Sequence, residues 1–180
     1  MAARILAVLT AFFLIFAGPA FALSWQQAVY HYAKLYKLNP CVVFAVIDTE
    51  SSGNPNAITV NYHNRYRSYK TRRSALKLIK SRYGNMDIGL MQINYYWTRQ
   101  ELKITKAMLL NPVYNIDIGE WILKELLKKY GNYTEAVMRY HSSDYAKGLR
   151  YVKKVIKAYQ NDRWFCRREK DDTTAEIAEK

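Results

Sequence analysis

The sequence predicts a mainly α-helical domain, and three observations carry that prediction. Apolar residues recur every three or four positions through most of the chain, the spacing that lines one face of a helix. Ser, Asn-Pro and Gly stand where those runs begin and end. Glycine and proline are sparse, 7 and 4 of 180 residues, and 50% of the chain is hydrophobic, which excludes collagen-like, linker and disordered classes. At this length, with no internal repeat and no Ser- or Gly-rich linker, one domain is expected.

Residues 1–22 stand apart from that domain. Arg4, an apolar run from Ile5 to Leu23 broken at Gly18-Pro19, and Ala20-Phe21-Ala22 are the basic, apolar and cleavage parts of a secretory signal peptide. The domain is therefore expected over 23–168, exported and, once the signal peptide is cleaved, without a stable membrane anchor; the alternative is an uncleaved anchor, since the run is long enough to span a bilayer. Ser24 caps a helix in which Trp25, Ala28, Val29, Tyr32, Leu35 and Tyr36 recur at helical spacing. Asn39-Pro40 is a cap followed by proline at the first helical position. The helix it opens, Cys41 to Glu50, is apolar nearly all round, which predicts burial on most sides, and Gly53 and Pro55 end it.

Residues 59–84 break the helical pattern with a basic insertion that carries Tyr62, Tyr66, Tyr69 and Tyr83. Its first half alternates loosely, so a small β-hairpin is expected within 59–86; its second half suits a short basic helix. Asn111-Pro112 repeats the start signal for a helix to Tyr130, stopped by Gly131, with Val113, Ile116, Trp121, Ile122 and Leu126 mainly on one face. Thr134 opens a short helix. Tyr145 to Tyr159 forms the last one, with Leu149, Val152, Val155 and Ile156 inward. The tail, residues 169–180, is polar enough to be disordered.

Charge and cysteine content narrow the partners. Lys and Arg number 28 against 15 Asp and Glu, a formal charge of +13, which favours an anionic partner. Export makes cytosolic nucleic acid an unexpected one and places the chain in the periplasm. The two cysteines, Cys41 and Cys166, are too few for a disulfide scaffold but are free to pair in an oxidising compartment. His31, His63 and His141 are scattered without metal-site spacing, and no phosphate-binding glycine loop is present, so neither metal nor cofactor is expected.

Glu50 is the candidate acid. It ends an apolar helix, where burial and the negative end of the helix dipole both disfavour its charged form. A carboxyl kept protonated near neutral pH is what a general acid requires. Asp48, two positions away, points to another side of the helix, while Asp87, Asp117 and Glu120 are the carboxylates that could approach in space. Most glycoside hydrolases set two carboxyls across one bond, so a lone Glu is unusual for that class.

Three motifs in order carry a family resemblance. Glu50-Ser51-Ser52-Gly53-Asn54-Pro55-Asn56-Ala57, Gly89-Leu90-Met91-Gln92-Ile93-Asn94 and Asn115-Ile116-x-x-Gly119 resemble those of the soluble lytic transglycosylase catalytic domain. The resemblance covers roughly Trp25 to Tyr159 and extends to the small members that accompany secretion, conjugation and pilus machines. It implies a lysozyme-like fold with a cleft and peptidoglycan glycan strands as substrate. It implies cleavage between N-acetylmuramic acid and N-acetylglucosamine, with Glu50 as acid and then base and a 1,6-anhydro sugar as product. Ser51, Gly89, Met91, Gln92, Asn94, Asn115, Tyr140 and His141 are then candidates for the substrate groove. Ser51 and Asn115 retain a purely structural alternative.

Two departures stand out. Arg139-Tyr140-His141 occupies the place of the family's Ala-Tyr-Asn, with Tyr140 expected to reach Glu50 and His141 to add a second titrating group. Glu50 to Gly89 spans 39 positions where the family has under twenty, the excess being the basic insertion, expected to form an extra cleft wall or a docking surface. The alternatives to a transglycosylase are a lysozyme-like hydrolase using Asp87 or Asp117, an inactive wall-binding assembly factor, and an exported nucleic-acid-binding protein.

Overall fold

The computed structural model describes residues 23–61, 65–68, 71–80, 84–161, 163 and 166. The expected signal peptide at 1–22, the tail at 169–180 and the insertion's Tyr62, Tyr69 and Tyr83 lie outside the described residues. Helix α1, Trp25–Tyr36, starts at Ser24, whose hydroxyl accepts from the Gln27 N–H while the Gln27 side chain accepts from the Ser24 N–H. That reciprocal box satisfies two amide groups left open by the first turn. Its buried residues are Ala28, Val29 and Ala33; Leu35, expected on the inner stripe, is instead 62% exposed. The stripe turns inward through Tyr32 and Tyr36, and Leu35 lies beyond its edge.

Helix α2, Pro40–Ser51, is the centre of the molecule. Every residue from Cys41 to Ile47 is buried, as an all-round apolar helix requires. Asn39 caps it, accepting the Cys41 N–H at 2.9 Å, and Ser52 in the left-handed region ends it. Helix α2 packs against α1 and against the last helix, α8, Tyr145–Asn161. Cys41 and Cys166 are disulfide-bonded, Cα to Cα 5.5 Å, and Arg163 donates to Asp48 at 3.1 Å, so the chain's end is fastened to both ends of α2.

The expected hairpin is present and belongs to a larger sheet. Strands β1, Ala57–Val60, and β2, Arg65–Ser68, pair antiparallel. Strand β1 also pairs with β3, Met86–Ile88, and β3 with β4, Ile93–Asn94, giving the order β2-β1-β3-β4. The short basic helix of the insertion is α3, Arg72–Ile79, which buries Ala75 and Ile79 against the core and leaves Arg73, Lys77 and Lys80 in solvent. Two short helices that periodicity did not reveal follow the sheet: α4, Tyr95–Glu101, and α5, Lys106–Leu109.

Helix α6, Pro112–Tyr130, is capped by Asn111 and stopped by Gly131 at φ 80°, and it packs on α1 and α7. Its buried residues are Asn115, Ile116, Ile118, Gly119, Glu120 and Leu123; Val113, Ile122 and Leu126 pack against the core rather than fill it, and Trp121 is half-buried. Helix α7, Tyr133–His141, is opened by Asn132, whose side chain accepts the Glu135 N–H, one turn position earlier than the expected start at Thr134. Among the described residues no helix is long and apolar enough to cross a membrane. The sheet covers one side of this helical body, and a cleft opens between them.

Candidate active site

The cleft has a volume of about 750 Å³ and is walled by elements far apart in sequence. Glu50, at the end of α2, lines it together with Thr59 and Asn61 of the β1 edge and Asp87 of β3. Gln92 lies in the turn before β4 and Asn94 at its end, Trp97 projects from α4, and Tyr140 and His141 close it from the end of α7. Among the described residues no cluster of three His, Cys, Asp or Glu side chains suited to a metal ion is present.

Glu50 carries the perturbation a general acid needs. Only 15% of its side chain is exposed, and burial pushes its pKa up from 4.5 to about 7. Asp87 adds to the rise by charge, while the Tyr151 hydroxyl and the Lys154 ammonium oppose it. An unperturbed Glu would be protonated in only about one molecule in 300 at pH 7, whereas this one is protonated in about half. His141 approaches from the side, its Nδ1 4.0 Å from the carboxyl, with its ring stacked on Tyr151 at 4.3 Å between centroids. Burial and the charges of Lys154 and Lys147 push the His141 pKa down, so the imidazole is neutral at pH 7 and the contact is not an ion pair.

The hydroxyl that serves Glu50 is not the one expected. Tyr140 donates to the Met91 carbonyl at 2.8 Å, which commits it to the backbone. Tyr151, on α8 and fully buried, has its hydroxyl beside Glu50 instead, with no well-aligned hydrogen-bond partner of its own. Its position lets it donate to the carboxylate, which is why it holds the Glu50 pKa down. Sequence reasoning missed Tyr151 because it sits among the inward residues of a basic amphipathic helix, where an aromatic ordinarily means core.

The remaining motif residues lie largely beneath the cleft floor. Ser51 is buried and its hydroxyl donates to the Leu90 carbonyl at 2.8 Å, not into the cleft. Asn115 is fully buried: it accepts the Met91 N–H at 2.8 Å and donates to the Ile88 and Leu109 carbonyls. Met91 is fully buried against Gly119, where a Cβ would stand 2.3 Å from its sulfur. Gly89, at φ +85°, is held against Asn115, and a Cβ there would sit 2.5 Å from the Asn115 amide nitrogen. Gly89 is thus required by the packing of its own loop on α6, whatever approaches from outside. Ser51, Gly89, Met91 and Asn115 position the floor; of the groove candidates, Gln92, Asn94, Tyr140 and His141 line the cleft itself.

Gln92 spans both roles. Its φ of 47° is the strained left-handed region, and its side chain fixes the turn by donating to the Gly89 and Ala57 carbonyls and accepting from Thr59 at 2.7 Å. Asn94 donates to Asp87 at 2.6 Å and to Asn85 at 2.9 Å, while its oxygen caps α4 through the Trp97 N–H. Trp97 was not anticipated. It lines the cleft with 65% of its surface exposed, an apolar face open to a flat, partly apolar ligand such as a sugar ring.

Comparison with known proteins agrees with this architecture. The family model described as the transglycosylase SLT domain matches residues 27–164. The chain is 28% identical over 172 residues to invasion protein IagB of Salmonella typhimurium strain SL1344, covering 91% of each chain. It is 29% identical over 152 residues to IagB of Salmonella typhi, covering 79% of each. A transglycosylase of Enterobacteria phage PRD1 is 30% identical over 141 residues, 76% of this chain and 43% of the phage protein. No solved structure matches the chain. With the family model spanning most of its length and the phage relative at the same identity level, the chain belongs to the transglycosylase SLT family and is a peptidoglycan lytic transglycosylase.

Proposed function

We propose that this transglycosylase cleaves the β-1,4 bond between N-acetylmuramic acid and N-acetylglucosamine, with Glu50 acting first as acid and then as base. The observation that carries the reading is a carboxyl at the foot of a sugar-sized cleft, poised near pH 7 by burial. Glu50 gives its proton to the glycosidic oxygen as the bond from the muramyl anomeric carbon to that oxygen breaks. The muramyl N-acetyl group supports the electron-poor carbon. Ionised Glu50 then takes the proton of the same sugar's C6 hydroxyl as that oxygen attacks. One C–O bond is lost, one is gained, no water is consumed, and the product ends in a 1,6-anhydro sugar.

The cleft's lining favours such a substrate. Trp97 offers a stacking face, and Asn61, Gln92 and Asn94 offer amides to hydroxyl and acetyl groups. A helix-end Glu flanked by Tyr151 and neutral His141 suits a proton that leaves and returns. The sequence's signal-peptide pattern supports action in the periplasm after export. The relatives named as invasion proteins favour local opening of the wall for a trans-envelope secretion, conjugation or pilus apparatus.

The test is mass spectrometry of muropeptides released from purified sacculi, with Glu50→Gln as control. Fragments lighter by one water than reducing-end muropeptides, absent with the control, are the expected result. Reducing ends in their place would refute the intramolecular route, because they require water as the attacking group.

A further inference from the structure

The cleft is lined unevenly. Its sheet side offers the neutral amides of Asn61, Gln92 and Asn94, whereas the end closed by α7 offers His141, Ser142 and Lys147. Lys147, Tyr151 and Lys154 follow one another along α8 at intervals of four and three, the spacing of a single helix face. Tyr151 shows where that face points: its hydroxyl lies beside Glu50 and its ring stacks on His141. Gly148 fixes the rotation of the helix, since a Cβ there would press on the Met138 carbonyl of α7 at 3.1 Å.

Both lysines are exposed, and among the described residues neither has an ion-pair partner. Asp144, the acid nearest to Lys147 in sequence, is turned to the backbone and accepts the Lys147 N–H at 2.8 Å. Two uncommitted ammonium groups thus stand one turn before and one turn after the tyrosine that serves the acid. The uncharged hydroxyl and acetamido groups of a glycan do not call for them. The charged part of peptidoglycan is the carboxylate-bearing peptide on the muramyl lactyl group. The bond assigned to Glu50 belongs to a muramyl unit, so the peptide of that unit emerges beside the acid.

We propose that Lys147 and Lys154 form a subsite for the carboxylates of that peptide, by which the enzyme selects glycan whose peptides are charged. The proposal rests on the cleavage reading above and names the part of the substrate that the reading leaves unbound. An ammonium on a flexible stem is suited to carboxylates whose positions vary along a peptide. Occupancy also acts on the acid. Alone, the Lys154 charge favours the Glu50 carboxylate and lowers its pKa, against the needs of a proton donor. A carboxylate seated on Lys154 offsets that charge, so Glu50 keeps its proton to higher pH. The other groups facing Glu50 are Asp87 on β3, Tyr140 and His141 on α7, and Tyr151 on α8. Lys147 and Lys154 hold His141 down, and their neutralisation lets it rise toward its usual 6.5, on the acid side of the Glu50 limb.

The experiment compares solubilised glycan strands bearing native peptides with the same strands after carbodiimide amidation of their carboxylates. Glycosidic bonds broken are counted as a function of pH. For the unaltered enzyme, kcat/KM should be roughly tenfold lower on amidated strands, as two exposed charge pairs allow. The alkaline limb of kcat should also lie at lower pH on them. With Lys147→Gln and Lys154→Gln together, the preference should shrink to within about twofold and the two limbs should coincide. Lys153→Gln with Lys157→Gln is the control for general positive charge: both are exposed on α8 outside the cleft lining, and the preference should survive. Equal kcat/KM on the two substrates, or a preference lost as fully in the control pair, would overturn the proposal. If the unaltered enzyme breaks no bond, the cleavage reading fails. The Kd of each strand for the same four-lysine series then decides the subsite by the same comparison.

Discussion

Glu120 gives the sharpest test of the electrostatics. It is fully buried on α6, and neither carboxyl oxygen has a hydrogen-bond partner. Burial, with Asp117 nearby, pushes its pKa up from 4.5 to about 9. The folded chain therefore holds a proton that the unfolded chain releases between those values. Stability from this group is fully present below pH 4.5 and is lost as pH rises toward the folded pKa, at about 1.4 kcal/mol per unit. By pH 7 the loss is about 3 kcal/mol. Glu120→Gln, neutral at every pH, keeps the volume and removes that loss; its buried amide lacks partners much as the protonated acid does. Thermal and urea melts at pH 5 and pH 7 read the outcome. At pH 7 the variant should melt roughly 5–10 °C above the unaltered protein, and near pH 4.5 the two should converge. Parallel stability curves, or a variant less stable at pH 7, would show that Glu120 is partnered or ionised in the fold and refute the reasoning.

Four further outcomes follow from the same structure. Activity should fall as pH rises through about 7, when Glu50 ionises, and Tyr151→Phe should move that limb to higher pH, since the lost hydroxyl lowers the Glu50 pKa. His141, pushed below its usual 6.5, places any acid-side loss below that value; a His141→Asn enzyme with an unchanged acid limb would assign the limb elsewhere. Replacing Cys41 and Cys166 by Ser should cost up to about 5 kcal/mol in urea unfolding, the chain-entropy figure for a bridge across 125 residues. Changing Arg73, Lys77 and Lys80 to Gln should weaken sacculus binding at low salt and flatten its salt dependence, without loss of fold, because all three stand in solvent on α3.

The helices were legible where caps and periodicity agreed. Ser24, Asn39-Pro40 and Asn111-Pro112 each start a helix where the sequence puts it, because a cap side chain and a fixed φ are local causes. Leu35 failed because periodicity counts an apolar residue on the edge of a stripe as if it were inside it. Helices α4 and α5 are too short for a period to show, and β3 and β4 are three and two residues long, held by tertiary pairing rather than propensity. Glu50 could be found because a carboxyl at the end of an apolar helix is anomalous in itself. Tyr151 and Trp97 could not: one resembles core and the other an exposed aromatic, and only their placement beside Glu50 or in the cleft gives them meaning.

The motifs that identify the family are mostly the ones that never face the substrate. The loop from Gly89 to Gln92 turns too sharply to satisfy its own backbone groups through regular strand pairing. Ser51 covers the Leu90 carbonyl, Asn115 the Met91 N–H and Ile88 carbonyl, and Tyr140 the Met91 carbonyl. Each buried backbone group left open would cost about 1–3 kcal/mol, so the loop needs these side chains together, at fixed spacings. Gly89 and Gly119 are needed for the same reason, since a Cβ at either would displace Asn115 or Met91. Ser51 comes from the turn that carries Glu50, and Asn94 at the loop's far end holds Asp87. The clamp therefore fixes the acid on the helix relative to the carboxylate on the sheet. A motif that reads as a list of sugar contacts is better understood as the part that holds two carboxyls at a constant separation across the cleft.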